Sequence, residues 1–469
     1  MNRNNFLIHV ALAIVLILVA AFAGQLNRWR KHWKAQMRIV PAEEKARPRT
    51  PEEVAIAEGE KRGNVEVLVK FKSGVSSETI EALEARINDR IVDRIENAPG
   101  WTAIDDLDDA SPADLVAQYR SFPEVEYAEE NFAIEIPDAV DSALEPVLPR
   151  DPQFEQQWAL ANSGQRGGKQ GADISATMAW ASTTGSDDVV VAVLDTGVDY
   201  THEDLLTNMW LRPASMTPYE DNELGTVDDV RGFNAVDNAS DPMDDNGHGT
   251  HCAGIIGAEG GNDLGIAGVN WKVKIMPLKF LNADGSGNVK DAIEAINYAI
   301  ARKKAGVNVR IISASWGSTQ KSRALEDVIR KAYENDILFV AAAGNSSVNN
   351  DRSPHYPSSY NVPNVVSVAA LNRNDELAPF SNWGAKSVAL GAPGVDILST
   401  WLQNGYEEKS GTSMATPVVS GVAALVIAEH PRMSVDDLRK KLLASTDPIV
   451  ALKGKTVTGG RINAAKAME

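Results

Sequence analysis

Two histidines three residues apart, followed at once by the chain's single cysteine, stand in NGHGTHCAG at positions 246–254. Residues of these types serve three chemistries: metal binding, thiol exchange and proton transfer. A structural zinc site takes four ligands and a catalytic one normally three protein ligands. Here no glutamate follows His248 as in an HExxH helix, and Cys252 has no CxxC partner, so the motif does not read as a metal centre. Thiol exchange fails for a similar reason, since it needs a second sulfur. Proton transfer remains, and it requires an acid and a nucleophile from elsewhere in the chain. AVLDTGVD, 192–199, ends an apolar run on Asp195, a carboxylate able to orient an imidazole. SGTSMATP, 410–417, sets Ser413 at the start of the apolar stretch MATPVVSGVAALVIA. A hydroxyl there lies at the positive end of a helix, where free backbone amides face a developing anion. Pro417 is read as a first-turn proline, tolerated because amides there lack a helical partner.

The elements that must carry these residues follow from the apolar spacing. Runs of buried type, VVVAVLD (189–195), VKIMPLKFL (273–281), VRIISAS (309–315), ILFVAAAG (337–344) and VVSVAAL (365–371), alternate with segments of helical period, NVKDAIEAINYAIARKKAG and SRALEDVIRKAYEND. Near-continuous apolar strands joined by helical crossovers predict an α/β fold, a parallel twisted sheet with helices on both faces. Such sheets bind ligands beyond the carboxyl ends of their strands, which points to Asp195, to SASWGS at 313–318 and to Gly344-Asn345. Upstream lie VEVLVKF (65–71), SSETIEALEARIND, apolar runs around Ile91 and in WTAIDDL, a helix at 112–120 and EVEYAEENFAIEI. They predict a small α+β module of β-α-β-β-α-β order, ferredoxin-like. The proline-studded PDAVDSALEPVLPR (137–150) separates the two.

Taken in this order, LDTG, HGTH, AAAGN and GTSMA resemble the motifs of the subtilases, the subtilisin-like serine peptidases, in the HGTHCAG branch similar to thermitase and proteinase K. The resemblance covers about 151–469, and residues from about 64 to 136 resemble the family's inhibitory, folding-assisting propeptide. It implies Asp195 as the acid, His248 as the general base, Ser413 as the nucleophile and Asn345 as the side-chain donor of an oxyanion hole. In that arrangement the imidazole takes the serine proton and the carboxylate fixes its tautomer. It also implies a cleft in which Gly285, Ser286 and Gly287 of LNADGSGN and Ser315, Trp316 and Gly317 line extended substrate, Ala342 and Gly344 completing the first specificity pocket. That wall shows no acidic cluster, so broad cleavage with apolar preference is expected. Structural Ca²⁺ is implied at Asp151, Asp204 and Asn262, oxygen donors from separate loops. The acidic stretch YEDNELGTVDDV (219–230) is either a second ion site or a solvated loop. His251 reads as structural, and Cys252 as a buried thiol beneath the base through which mercurials would crowd His248. The rival reading is a catalytically silent subtilase-fold protein whose groove binds peptides.

Composition narrows the partners. At 469 residues and 43% hydrophobic the chain can bury a large core, while a net charge of −18 argues against nucleic acid. The expected partners are protein and peptide substrates in extended conformation, the chain's own propeptide and, through its amino-terminal segment, a membrane; a monomer is expected. FLIHVALAIVLILVAAFAG, 6–24, is long enough to span a bilayer, and AFA at 21–23 offers a signal cleavage site. Arg28, Arg30, Lys31, Lys34 and Arg38 behind it favour the opposite topology by the positive-inside rule. The expected organisation is a signal or anchor at 1–27, a charged linker at 28–62, a propeptide at 63–136, a connection at 137–150 holding a self-processing site, and a catalytic domain at 151–469. The catalytic domain is expected outside the cytoplasm, membrane-associated or secreted.

Overall fold

All seven residues of the strand Val365–Leu371 are buried, as are the last seven of Gly185–Asp195. Strands of this kind need cover on both faces. The computed structural model describes residues 66–95, 98–108, 110–132, 145–221, 225–236 and 240–469, and it divides into two compact units on either side of position 140. The expected signal or anchor, the linker at 28–62 and residues 137–144 of the connection lie outside the described residues.

The first unit runs β1 (Val67–Phe71), α1 (Ser77–Ile87), β2 (Asp89–Arg94), β3 (Trp101–Asp106), α2 (Pro112–Arg120) and β4 (Val125–Glu130). Its four strands pair antiparallel in the order β2-β3-β1-β4. Ser76 and Ser111 start the helices by accepting from the N–H of Thr79 and Asp114. Alternate residues of β1, Val67, Val69 and Phe71, face Leu83, Leu115 and Tyr119 in the core. Two carboxyls enter that core with little compensation. Burial pushes Glu84 up to about 7 and Asp89 up to about 6, although Tyr119 donates to Asp89 Oδ2 at 2.5 Å.

The second unit begins with α3 (Ala176–Ala179), β5 (Gly185–Asp195), the hairpin β6 (Tyr219–Asp221) and β7 (Gly225–Val227), β8 (Phe233–Asn234) and α4 (His248–Gly257). Then come β9 (Lys272–Lys279), α5 (Val289–Lys304), β10 (Val309–Ala314), α6 (Arg323–Glu334), β11 (Leu338–Ala342), β12 (Val365–Leu371) and β13 (Leu390–Pro393). A hairpin of β14 (Ile397–Trp401) and β15 (Gly405–Lys409) leads to α7 (Thr412–Glu429), α8 (Val435–Ala444), β16 (Thr446–Pro448), β17 (Gly460–Ile462) and α9 (Ala464–Met468). The main sheet has the order β16-β17-β13-β12-β11-β10-β5-β9-β8 and is parallel except at the β16–β17 edge. Its two faces can be read along β5. Val189, Val191 and Val193 join one core with α4 and α7, while Val190, Ala192 and Leu194 join the other with α5 and α6.

Helix α7 is, among the described residues, the one long and apolar enough to cross a bilayer, yet 83% of that window is buried within the fold. Pro417 is its sixth residue rather than part of its first turn, which corrects the sequence reading. Lacking an N–H, it leaves the carbonyl of Ser413 without its helical partner. Two side chains take the place of that partner: Ser315 Oγ donates to the Ser413 carbonyl at 2.8 Å and Cys252 Sγ at 3.5 Å. Most described residues of the acidic stretch at 219–230 are exposed or half-buried, as in a solvated loop, and Val227 and Asp229 are the exceptions. Asp229 is fully buried, paired with Arg302 Nε at 2.7 Å and Arg212 Nε at 3.1 Å, and accepts from Tyr298 OH and the Tyr219 N–H. Both oxygens of this one carboxylate are thus engaged by protein groups; residues 222–224 lie outside the described residues.

The raised carboxyl pKa values of the first unit fix the sign of its pH dependence. Glu84 and Asp89 bind protons more tightly folded than unfolded, so their contribution is full below their ordinary values of 4.5 and 3.8 and is lost as pH rises through about 6 to 7. The unit therefore melts higher at acidic than at alkaline pH, and Glu84→Gln raises its melting temperature at alkaline pH while flattening the dependence. Thermal unfolding followed by circular dichroism across this range checks both, and a parent unit equally stable throughout contradicts the account.

Candidate active site

The carboxyl ends of β5, β10 and β11 meet the amino ends of α4 and α7, and the sequence-predicted residues converge there. Asp195, 1% exposed, is the last residue of β5. Its Oδ1 accepts from His248 Nδ1 at 2.7 Å and from the Thr196 N–H at 2.8 Å. His248 is the first residue of α4, so the helix start itself points the ring at the strand end. Burial alone lowers the pKa of this imidazole. The charge of Asp195, its hydrogen bond and the charge of Asp244 together outweigh burial and raise it above its ordinary value.

Asp244, which the sequence reading did not single out, holds the turn before α4. Its Oδ2 accepts from the N–H and hydroxyl of Thr250, and its Oδ1 from Thr196 Oγ1 and the N–H groups of Asn246 and Gly247. Thr196 Oγ1 in turn accepts from the Gly249 N–H at 2.9 Å. The helix lies so close to β5 that a Cβ on Gly249 would stand 2.0 Å from the carbonyl of Gly197 and 3.1 Å from Asp195 Cβ. His251, one turn on, donates from Nε2 to the Glu407 carbonyl at 2.9 Å, and burial lowers it to about 4, so it stays neutral. Cys252 is buried, its thiol pushed well above its ordinary pKa. Its sulfur lies within 4.8 Å of ligand atoms of Asp195 and His248.

Ser413 is the second residue of α7, and its Oγ donates to the Ser315 carbonyl at 3.0 Å. The orientation of Asn345 follows from its partners. Its Oδ1 accepts from both the N–H and the hydroxyl of Thr412, each at 2.9 Å, so its Nδ2 is left as an outward donor. Thr412 Oγ1 also accepts from the Gly344 N–H, joining the end of β11 to the start of α7. Ser315 to Gly317 and Ala342 to Gly344 continue the adjacent parallel strands β10 and β11. Trp316 packs on Phe280 with ring centroids 4.7 Å apart. Gly285, Ser286 and Gly287 lie in an exposed turn closed by an antiparallel bridge from Leu281 to Gly287, and Asn246 ties this turn to α4 through the Ala283 carbonyl.

The residues expected to hold Ca²⁺ are brought together apart from this centre. Asn262 Nδ2 donates to Asp204 Oδ1 at 2.8 Å, and the neighbouring Gly261 N–H donates to Asp151 Oδ2 at 2.6 Å. Tyr406, absent from the sequence reading, donates to Asp204 Oδ2 at 3.1 Å. Burial raises both carboxyl pKa values, and Asp151 Oδ1 is buried without a partner. An oxygen-rich set with an orphaned carboxylate oxygen fits a hard divalent cation.

Residues 186–463 match the peptidase domain of the subtilase family, and residues 54–131 match the fervidolysin N-terminal prodomain. The chain belongs to the subtilase family and is a subtilisin-like serine peptidase carrying a prodomain. It is 33% identical to a thermophilic serine proteinase of Bacillus sp. (strain AK1) over 427 residues, covering 90% of this chain and 92% of that one. With thermitase of Thermoactinomyces vulgaris it shares 35% identity over 321 residues, 68% of this chain and 99% of thermitase. Among solved structures, a protease of Pseudoalteromonas arctica PAMC 21717 superposes with a TM-score of 0.56 at 28% identity, covering 68% of this chain and 98% of that protein.

The contact between Gly249 and Gly197 generates a test. Gly249→Ala forces the helix away from backbone that cannot yield, and overpacking of this kind costs about 1–3 kcal/mol. The expected outcome is a lower melting temperature of the second unit together with loss of peptidase activity, both read on the purified variant. Parental stability and activity would refute so close an approach of α4 to β5.

Proposed function

We propose that the protein is a serine endopeptidase made as a self-processing zymogen, with Asp195, His248 and Ser413 as its triad. The observation that carries the reading is the 2.7 Å bond from His248 Nδ1 to Asp195, at the point where the starts of α4 and α7 converge. It holds the ring in the tautomer with the proton on Nδ1, leaving Nε2 free to accept. Ser413 Oγ turns from the Ser315 carbonyl toward Nε2, gives up its proton and attacks the substrate carbonyl. Positioned bases often reach full contact only with substrate bound. His248 then returns the proton to the leaving amine, and water repeats the sequence on the acyl-enzyme.

The oxyanion that forms in each half-reaction meets Asn345 Nδ2 and the Ser413 N–H. The first is freed by Thr412; the second, in the first turn of α7, has no helical acceptor. Extended substrate lies between the 281–287 turn and the Ser315–Gly317 edge, with Ala342 and Gly344 in the wall of its first pocket. The prodomain acts as an intramolecular inhibitor and folding assistant until the chain cuts itself between 134 and 150. The apolar segment at 6–24 directs the protein to or through a membrane, with the peptidase outside the cytoplasm; one relative, 30% identical over 388 residues, is described as a minor extracellular protease of Bacillus subtilis. Ca²⁺ bound by Asp151, Asp204 and Asn262 supplies charge neutralisation that locks separate loops, and takes no part in proton transfer.

Two experiments test this reading. The full-length protein and Ser413→Ala, expressed side by side and fractionated, are compared by mass and amino terminus. The expected result is a parent trimmed between 134 and 150 and a variant that stays whole; identical whole forms would favour a silent peptide-binding protein. Chelation with EDTA is expected to lower the melting temperature of the parent and to have no effect on Asp204→Asn. An unchanged parent would remove the ion from the account.

A further inference from the structure

One titratable side chain stands against the cleft without a part in the proton chain. His355 packs its ring into the space left by two glycines. A Cβ on Gly317 would lie 2.1 Å from its Cε1 and 2.8 Å from its Nδ1, and a Cβ on Gly344 would lie 3.1 Å from its Cγ and Cδ2. The imidazole therefore lies against both proposed pocket edges. Backbone holds it there: Ser318 N–H donates to the Tyr356 carbonyl at 2.7 Å, Tyr356 N–H to the Ser318 carbonyl at 2.8 Å, and His355 N–H to Ser359 Oγ at 3.1 Å.

The ring's electrostatic surroundings are unusually bare. Nδ1 is buried and has no hydrogen-bond partner among the described residues. The segments packed against the ring, 315–318, 342–345 and the turn at Asn382, contain no ionisable side chain. On its own segment the ionisable neighbours are Asp351, Arg352 and Tyr356, and Asp351 is engaged by Ser387. Burial lowers the ring's pKa, and the Ala342 carbonyl opposes it only in part. A neutral ring leaves Nδ1 either as a bare acceptor or as an unpaired donor, whereas the imidazolium offers an N–H and a positive charge. An orphaned buried nitrogen beside two proposed pocket edges is where a ligand can complete the hydrogen bonding.

We propose that His355 reads the substrate side chain entering the first specificity pocket, admitting uncharged side chains when neutral and glutamate when protonated. This rests on the subtilase reading of the cleft and goes beyond the apolar preference expected from its walls. No covalent step is involved: the imidazole takes its proton from solvent, and the arriving carboxylate supplies the counter-charge that the surroundings lack. Glutamate stays ionised between about pH 6 and about pH 8.5, so any change in its acceptance over that interval reports on the protein.

The test uses the mature enzyme and three peptide p-nitroanilides that differ only in the residue before the scissile bond: glutamate, glutamine or phenylalanine. kcat/KM is measured at about pH 6 and about pH 8.5, so that acidification moves the ring toward its protonated form. The glutamate-to-glutamine ratio cancels the titration of His248, which affects both substrates alike. Since protonation changes tenfold per pH unit above the pKa, this ratio is expected to rise about tenfold or more on acidification. In His355→Gln and His355→Asn it stays flat, while the phenylalanine substrate is still cut. A flat ratio in the parent, or a rise that persists in both variants, overturns the proposal. Cleavage of the phenylalanine substrate reports on the Ser413 chemistry by itself and keeps a failure there distinct from a failure here.

Discussion

The carbonyl oxygen of Ser413 joins the fold to the chemistry. Pro417 releases it from the helix, and Ser315 from the end of β10 and Cys252 from α4 recapture it. A buried carbonyl left unpaired costs about 1–3 kcal/mol, so this recapture is a strong restraint. Its result is that Ser413, the proposed nucleophile, is held by the end of β10 and by the helix that carries His248 as well as by its own helix. Displacing either neighbour moves Ser413 with it. The same residue thus receives two restraints from structure that a regular helix would have supplied internally.

The Asp195 side of the centre is organised by a second buried polar group, Asp244. It accepts from the backbone or hydroxyl groups of Thr196, Asn246, Gly247 and Thr250, fastening the turn after β5 to the start of α4. With these contacts in place the His248–Asp195 bond forms without further adjustment, since each partner sits at the terminus of a rigid element. Such networks hold geometry well when every member is satisfied. Asp195 retains one buried oxygen without a partner, so its bonding is concentrated on Nδ1 and on the Thr196 N–H.

Much of this was legible in the chain because the relevant signals are local. VVSVAAL predicts β12 residue for residue, and the strand ends at Asp195 and around Ser315 and Asn345 mark the site before any packing is known. The small ferredoxin-like unit follows from alternation in β1 and from serine-capped helices. What escaped depends on contacts between distant residues. His355 lies 38 positions beyond Gly317, within a loop that has no period to read. Asp244 looks like one of several carboxylates in DPMDDNG. Tyr406 reaches Asp204 from a short hairpin too polar to signal a strand, and Asp229 meets arginines from the sequence-distant segments at 212 and 302. Pro417 was misplaced because the apolar run does not show where the first helical turn begins.

Cys252 has a consequence for how the chain is made. It is the only sulfhydryl in the sequence, and the fold closes over it within the core beside Ser413. Burial keeps it protonated, so it is a poor participant in disulfide chemistry once the domain has formed. No cross-link has to be formed, shuffled or protected within this chain. The same polypeptide can reach its native state in a reducing or an oxidising compartment, and the order of synthesis, transport and folding is left free of any demand from sulfur.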